Sequence, residues 1–581
     1  MSSLTRRLFD SSRVVAAWSL TLAFAAASPI GVFAQEGVVA RQTVVPAAAA
    51  AQNPPANGQS QNPITQPLAL SPEVGTGRVG INPGEVAALS LQEAITFALQ
   101  NNLDIEQFRQ GVRISQFSLN SLRGVYDIVS SADVNYRSQT IPVASLFAGG
   151  GTTASLTSRT ITWNLITNQL IEKGGGFWQA EFDNNRINTS STAATLSTQY
   201  SPVLTLSFTQ PLMRNFNLDQ NRRSILIAKK TLDLSDSQFR QRVIEIINQV
   251  QLAYWDLVFA IRNEAIARKS VELTRTQLEN NQKMVEAGTL PPIDLRSAEA
   301  ALESRKGDVI VALQGITTAE NVLKALLIKD PADKLWNAAI QPSDDPQLSM
   351  QSFKLDEATG LALKNRPELD QIRLQTEQKN VDISFYKNQL KPQVDVYGLY
   401  TNNGLAGAPN SSLGNITVPD RFIGGYPRAL GNLFGQDFKT YQFGVRLSFP
   451  WRNRTAEGNL GRSLAESRQL DARQRQLVQS VQFDVRNALQ AVEAARLRFE
   501  AAQAGRIAAA AQLKGEQEKF RAGLSTTFLV LQRQTDFSVA EGTEVRALTD
   551  YNKALADLQR VTGMTLVSNN LQVTSADNPT K

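Results

Sequence analysis

Leu91-Gln92-Glu93-Ala94-Ile95-Thr96-Phe97-Ala98-Leu99-Gln100-Asn101 returns as Leu355-Asp356-Glu357-Ala358-Thr359-Gly360-Leu361-Ala362-Leu363-Lys364-Asn365, 264 positions later (355 against 91). Across 91–109 and 355–373 eight of nineteen positions are identical: Leu91, Glu93, Ala94, Ala98, Leu99, Asn101, Gln107 and Arg109 each meet their own counterpart. Further pairs follow in the same order. Leu206-Ser207-Phe208 answers Leu447-Ser448-Phe449, with Pro211 and Pro450 close behind, and Ala287-Gly288 answers Ala522-Gly523. One plan is used twice, at a period far beyond the ~20–50 residues of solenoid repeats.

Each half begins with a helical pattern, at roughly 90–124 and 354–389, followed by a β segment and a long helical tract. Asn215 to Ala287 is 73 residues without Gly or Pro. As one helix it would span about 110 Å at ~1.5 Å per residue, too long for a single globular core. Val243, Ile246, Ile247, Val250, Tyr254, Val258 and Ile261 form a helical stripe on an otherwise polar rod, so the rod must pack against others as in a coiled coil. A turn at Gly288–Pro292 should reverse the chain into a helix over 293–328. The second half should run out over 462–521, turn at Ala522-Gly523-Leu524-Ser525 and return over 527–562.

The β segments alternate. In Tyr441–Phe449 every odd-numbered residue is apolar, while the even-numbered ones are Gln442, Gly444, Arg446 and Ser448. Leu204, Leu206 and Phe208 alternate with polar neighbours, as do Val134 and Tyr136; Val394, Val396 and Tyr400 share one parity. Such strands suit a half-buried soluble sheet or a barrel with lipid outside and water inside. Tyr136, Tyr200, Tyr397, Tyr400, Tyr441 and Trp451 at strand ends fit an interfacial girdle and favour the barrel. Stretches 140–160 and 402–438, rich in Gly, Ser, Thr and Asn, are expected as external loops. Ile161–Asn188, around Gly174-Gly175-Gly176, is expected as an external hairpin or an extension of the strands.

Composition removes most enzyme classes. The 581 residues include no Cys and no His, so disulfides, thiolate or imidazole catalysis and zinc-finger spacings are excluded. No cofactor, metal or catalytic residue is expected. With 59 basic and 53 acidic residues, the charge is +6; it is spread without dense Lys/Arg runs, which argues against nucleic-acid binding. Arg6, Arg7 and Arg13, the apolar Val14–Ala27 and the small residues of Val32-Phe33-Ala34 form a secretory signal pattern with cleavage before Gln35; a short membrane anchor is the alternative. No later run of 18 apolar residues is expected, hence no transmembrane helix. Gly75, Gly77 and Gly80 match a dinucleotide fingerprint only formally, since they follow a Pro-rich coil rather than a strand.

The expected organisation is a signal peptide (1–34), a disordered Pro/Ala/Gln-rich lead-in (35–88), a first repeat (89–330), a linker (331–352) whose Asp344-Asp345 looks solvated, a second repeat (353–567) and a flexible tail (568–581).

The duplicated "Leu-x-Glu-Ala…Ala-Leu-x-Asn" start, the strand pair, the 70-residue helices and the Ala-Gly turns resemble the TolC-type outer-membrane efflux proteins over about residues 89–567. The resemblance implies an α+β membrane protein. Each subunit of a homotrimer would give four strands to a shared twelve-stranded barrel, and long helices to a periplasmic tunnel. It implies passive exit of drugs, metabolites or proteins, in a tripartite efflux or type I secretion system with a periplasmic adaptor and an inner-membrane pump. Ala287, Gly288, Thr289, Ala522, Gly523 and Leu524 match the family's adaptor-docking turns, although an ordinary αα-hairpin also wants Gly there. For the periplasmic gate, the family's acidic positions beyond the second turn fall on Leu529 and Gln532, so that acidic ring is absent. Asp294 matches an acidic position beyond the first turn, its usual cationic partner falls on Ser525, and Arg521 and Arg533 lie nearby. An apolar ring at Leu529 would close a pore by dewetting. Pro291-Pro292 departs from the family pattern and stiffens the first turn. A periplasmic coiled-coil scaffold would keep the rods without alternating strands. A carboxylate-only hydrolase would need two acids held across a cleft, and no such pair stands out.

Overall fold

The computed structural model describes residues 78–573, apart from 83, 145–148, 151–153, 349–353 and 415–416. The expected signal peptide, most of the lead-in, Gly75 and Gly77 of the fingerprint, and the last eight residues of the tail lie outside the described residues. Within them the order is β1 (Val86–Leu89), α1 (Leu91–Asn101), α2 (Leu103–Arg123), β2 (Val129–Pro142), β3 (Ser155–Leu170), β4 (Phe177–Thr189), β5 (Leu196–Pro211), α3 (Gln220–Glu286), α4 (Pro292–Leu327) and β6 (Ala339–Pro342). The second half continues with α5 (Leu355–Asn365), α6 (Pro367–Gln389), β7 (Gln393–Asn403), β8 (Ala406–Pro409), α7 (Tyr426–Phe434), β9 (Lys439–Ser448), α8 (Arg454–Arg521), α9 (Thr527–Val561) and α10 (Thr565–Ser568).

The duplicated motif forms the same local structure twice. Ser90 caps α1 in a capping box with Glu93, so two otherwise unpaired helix-start donors are satisfied. The helix expected over 90–124 breaks at Asn102, whose side chain accepts from Asp104 N and Ile105 N and starts α2. In the second half the break falls at Arg366, ahead of Pro367 at the first position of α6. The long rod is continuous over 67 residues in α3 and 68 in α8, about 100 Å each. α8 starts eight residues earlier than the expected 462, running through Gly458 and Gly461. The stripe on α3 is the core: Val243, Ile246, Ile247, Val250, Tyr254 and Val258 are buried, together with Ile95, Ile105 and Leu323. A second core joins α5, α8 and α9 through Ala362, Val481, Val485 and Tyr551.

The helices form one layer. Near the sheet the neighbours run α2–α3–α6–α8, and toward the hairpin turns α4–α3–α9–α8. Ion pairs tie the halves: Lys269 to Glu541 at 2.7 Å, Lys553 to Asp256 at 2.6 Å, and Arg223 to Asp382 at 2.7 Å.

The sheet corrects the expected four strands. Its antiparallel path is β2-β3-β4-β5-β7-β9, six long strands, with β8 as a short partner of β5. The hairpin β3–β4, expected outside or as an extension, is inserted between β2 and β5 and paired along its whole length. No strand among the described residues pairs with the outer edge of β2 or of β9, so one copy closes no barrel. The loop expected over 402–438 is also largely built, with β8 and α7 on the sheet. β2 and β3 take up much of the 140–160 loop.

Four further expectations change. Residues 86–88 belong not to a loose lead-in but to β1, which pairs in parallel with β6 from the linker. Asp344 is not solvated: its carboxylate accepts from Leu91 N at 2.6 Å and from the Tyr254 hydroxyl at 2.8 Å, holding the start of α1. Leu571 and Val573 of the tail pack on the first core. Finally, α4 contains an 18-residue window apolar enough to cross a membrane by length and composition. It lies along α3, with Ala298, Leu302, Val309 and Leu323 buried; those apolar positions are the hairpin's own packing stripe.

Candidate functional site

Two regions carry residue patterns that a folded core does not explain: the faces and edges of the sheet, and the helix tips. On the sheet, pleat alternation sorts side chains strictly. Val134 lies opposite Trp163, Leu165 opposite Phe182, Ala180 opposite Leu206, and Tyr400 opposite Tyr441. All are on one face, which is open outside the patch where Tyr426 of α7 packs on Trp163, with centroids 5.2 Å apart: Val134 is 79% exposed and Phe443 80%. Asp133, Asn164, Asp183, Thr205 and Arg446 carry the opposite parity and make the other face polar. A soluble sheet covers its apolar face with a second layer; a lipid-facing wall leaves it bare.

Tyr400 and Tyr441 pack at a tilt of 41° on the apolar face with centroids 5.2 Å apart, and Trp451 is 92% exposed just past β9, as a girdle requires. Tyr397 is the exception. Its odd register puts it on the polar face, under the Arg446 guanidinium at 5.4 Å. α7 covers the apolar face where Asn184 and Asn402 interrupt it: the Tyr426 hydroxyl donates to Asn184 Oδ1 at 2.6 Å, and Asn402 Nδ2 donates to the Leu433 carbonyl.

The helix layer ends as the sheet does. One margin, α2 and α4, exposes Ile114, Phe117, Ile310 and Val311; the other, α8, exposes Phe483, Leu497 and Ile507. Apolar rows at two opposite margins are what a layer needs to continue sideways into further copies.

At the tips both expected turns are present and alike. After α3, Gly288 has φ +72° and Thr289 N donates to Met284 O; after α8, Gly523 has φ +75° and Leu524 N donates to Lys519 O. This 6→1 bond with a left-handed Gly is the Schellman end of a helix. A side chain at either Gly would meet open space, so the backbone conformation is what selects Gly. Ala287, Gly288, Thr289, Ala522, Gly523 and Leu524 are all exposed.

Asp294 sits in the first turn of α4, a favourable place for a carboxylate at the positive end of the helix. Within one copy it pairs with neither Arg521 nor Arg533; Arg533 pairs instead with Asp536 at 3.0 Å and reaches Gln512 at 3.4 Å. Leu529 and Gln532 lie in the first turns of α9 and both are exposed. Thr526 caps that helix by accepting from Leu529 N. Ser525, at the position of the family's cation, donates to Glu516.

The sequence reading missed one feature here. Toward the tips the buried positions of α3 change from Val and Ile to Ser270, Thr274, Gln277 and Asn281, and on α9, which packs along α3, Thr527 and Gln534 are buried too. Gln277 donates to Asn281 at 2.8 Å, but Ser270 Oγ, Asn281 Nδ2, Thr527 Oγ1 and Gln534 Oε1 have no hydrogen-bond partner. A cleft of about 620 Å³ opens beside them, lined by Gln277, Met284, Phe520, Arg521 and Gln534. Buried polar atoms without partners cost roughly 1–3 kcal/mol each; the middle of α3 carries such atoms as well, at Arg242 Nε, Asn248 Oδ1 and Gln251 Oε1. The signal was available in the helical spacing 270, 274, 277, 281.

The outer membrane efflux protein family matches residues 179–327 and 358–564, together more than half of the chain. No curated protein matches. Among solved structures, the fold is similar to the outer-membrane channel CmeC of Campylobacter jejuni (15% identity, 82% of this chain and 86% of that one, TM-score 0.57). It is also similar to the MtrE outer-membrane channel of Neisseria gonorrhoeae in its open state (19%, 82% and 89%, 0.55), and to the outer membrane protein VceC of Vibrio cholerae (14%, 81% and 96%, 0.56). With the bare apolar sheet face and the 100 Å rods already in hand, the family match completes the assignment: this chain belongs to the outer membrane efflux proteins, channels of the outer membrane and not enzymes.

Proposed function

We propose that the protein is the passive exit duct of a tripartite efflux or type I secretion system. Three copies join edge to edge; the sheets close a barrel in the outer membrane, and the helix layers close a tunnel in the periplasm. The observation that carries this reading is a single sheet whose apolar face is open apart from the patch under α7, with two unpaired edges, β2 and β9. An unpaired strand edge in lipid leaves backbone donors and acceptors without partners, at several kcal/mol per group. Joining β2 of one copy to β9 of the next removes both edges, and a head-to-tail contact that closes forms a ring.

Transport through such a duct draws its energy from an inner-membrane pump. The exposed turns at Ala287-Gly288-Thr289 and Ala522-Gly523-Leu524 are the docking points for a periplasmic adaptor. Leu529, Gln532, Arg521, Arg533 and Asp294 surround the periplasmic closure. Leu529 rings from three copies would close it by dewetting. The alternative, a periplasmic coiled-coil scaffold, leaves the bare apolar sheet face without a purpose. The test is the mass and conductance of detergent-purified protein. A trimer that forms ion-conducting pores in a planar bilayer supports the duct. A monomer that stays soluble without detergent and conducts nothing overturns it.

A further inference from the structure

We propose that the inserted hairpin β3–β4 is a pair of true membrane-wall strands, so that three copies close a barrel of eighteen strands rather than twelve, with a wider mouth for bulky solutes at the outer membrane. This rests on the trimeric-wall reading above. The family match begins at residue 179, so it takes in most of β4 and none of β3.

Position along the sheet is the first argument. An external hairpin would fold back at the end of the sheet remote from the helices. This one runs the other way. Its turn, residues 171–176, lies at the helix end: Gln210 donates to the Gly174 carbonyl at 2.7 Å and Gln169 donates to the Tyr126 carbonyl at 2.9 Å. Gly175, with φ +68°, is pressed against Asn215 O and the Arg222 guanidinium at the entrance to α3, where a Cβ would stand 2.8 Å and 2.9 Å from them. The hairpin therefore crosses the full height of the sheet.

The second argument is the slant of the apolar band. Each strand has a short apolar run on the apolar face, and register fixes how these runs line up. The run on β2 is centred at Val134, opposite Trp163, the centre of the run on β3. Trp163 is opposite Asn184, four residues beyond Ala180, the centre on β4. Ala180 is opposite Leu206, the centre on β5. Leu206 is opposite Tyr400, three residues beyond Tyr397, the midpoint of the 394–400 run on β7, and Tyr397 is opposite Gly444, the midpoint of 441–447 on β9. The band thus slides seven residues, about 23 Å, across five inter-strand gaps, about 24 Å. That is a slant of about 45°, the tilt of strands in a membrane barrel. Four of the seven residues of slide fall between β3 and β4. The hairpin is part of the diagonal and not an attachment to it.

Barrel diameter grows roughly linearly with strand number, so eighteen strands make a mouth about half as wide again as twelve. The hairpin also adds Glu181 and Asp183 to the polar face, which becomes the lumen.

The test uses the absence of native cysteine. Single-cysteine variants L165C and F182C on the bare face, and N164C and D183C on the polar face, carry a fluorophore and are reconstituted into liposomes. V134C and V445C report the wall strands on either side. Lipid-bound nitroxide should quench label at 165 and 182 as strongly as at 134 and 445, while aqueous iodide should quench only 164 and 183. If 134 and 445 meet lipid but 165 and 182 meet iodide alone, the hairpin is outside the membrane and the proposal falls while the wall reading stands. If none of the four bare-face positions meets lipid, the wall reading itself fails. Because labelled variants can misassemble, the unmodified trimer is also imaged by electron cryo-microscopy. Eighteen strands in cross-section uphold the proposal; twelve overturn it.

Discussion

Lys324 and Glu320 offer the most demanding test of how the linker is fastened to the first repeat. Both are on α4 and fully buried, at 0% and 1% side-chain exposure, with Lys324 Nζ 2.7 Å from Glu320 Oε1. The ammonium also donates to the carbonyls of Trp336 at 2.9 Å and Ala338 at 2.7 Å, so all three of its protons are used. Glu320 in turn accepts from Ile340 N of β6 and pairs with Arg78 ahead of β1. One ion pair thus fastens the linker and the end of the lead-in to the top of the first helical hairpin. Substituting E320Q leaves a fully buried ammonium facing only neutral acceptors, which costs about 3–5 kcal/mol. Substituting K324M removes the charge but orphans two carbonyls, at about 1–3 kcal/mol each. In the double variant no buried charge is left unpaired, and Arg78 is partly exposed and free to turn to water. The double variant should therefore be more stable than E320Q alone, with a coupling of at least about 2 kcal/mol. The assay is guanidinium unfolding of the detergent-solubilised protein, followed by far-ultraviolet circular dichroism for all four members of the cycle. An unfolding midpoint for E320Q equal to that of the parent, or strictly additive losses, would refute the argument.

Three other outcomes follow from the same geometry. G288A and G523A each force a left-handed residue with a Cβ and should cost about 1–2 kcal/mol, read as a lower unfolding midpoint with no change in the sheet's spectral signature; no loss would mean that the turns relax to another shape. L529D should make bilayer conductance several-fold more sensitive to divalent cations, and an unchanged response would remove this position from the constriction. The last is a pH effect at Glu377, whose carboxyl is held below the usual range chiefly by its hydrogen bond from Lys230, with Arg373 adding to it. A depressed folded-state value stabilises the fold above the ordinary carboxylate range and ceases to do so as pH falls through it. E377Q should thus be less stable than the parent at neutral pH and equal to it in acid; a gap that is constant with pH would contradict this.

Much of this structure was legible because its signals are long and local. The α3 stripe from Val243 to Val258 persists over several turns, and Gly288 and Gly523 mark helix ends through their own backbone. Pairing is different. Nothing local to Trp163 or Phe182 says whether they face lipid beside Val134 and Leu204 or lie in an external loop, because that depends on which strands they join. The glycine triplet 174–176 pointed to a surface turn, and it is one, but at the opposite end of the sheet. Asp344 looked solvated because its partners, Leu91 and Tyr254, are 253 and 90 residues away. The four-residue strands β1 and β6 are too short to show a period. Tyr397 was placed by residue type, and its odd register puts it on the other face. The polar packing of Ser270, Thr274, Gln277 and Asn281 had a readable spacing, yet their type suggests solvent rather than a buried layer.

The central claim is that β2 of one copy meets β9 of the next. Within one copy these strands are separated by four others, about 24 Å, well beyond the ~7 Å between Cα atoms that a disulfide tolerates. The decisive measurement is a disulfide scan with one cysteine fixed at Asn135 on β2 and a second moved along residues 440–448 of β9, resolved on non-reducing gels after oxidation in native outer membranes. The account predicts a covalent trimer at one register and its alternate neighbours. Cross-linking confined to single chains, or none at any position, would contradict it.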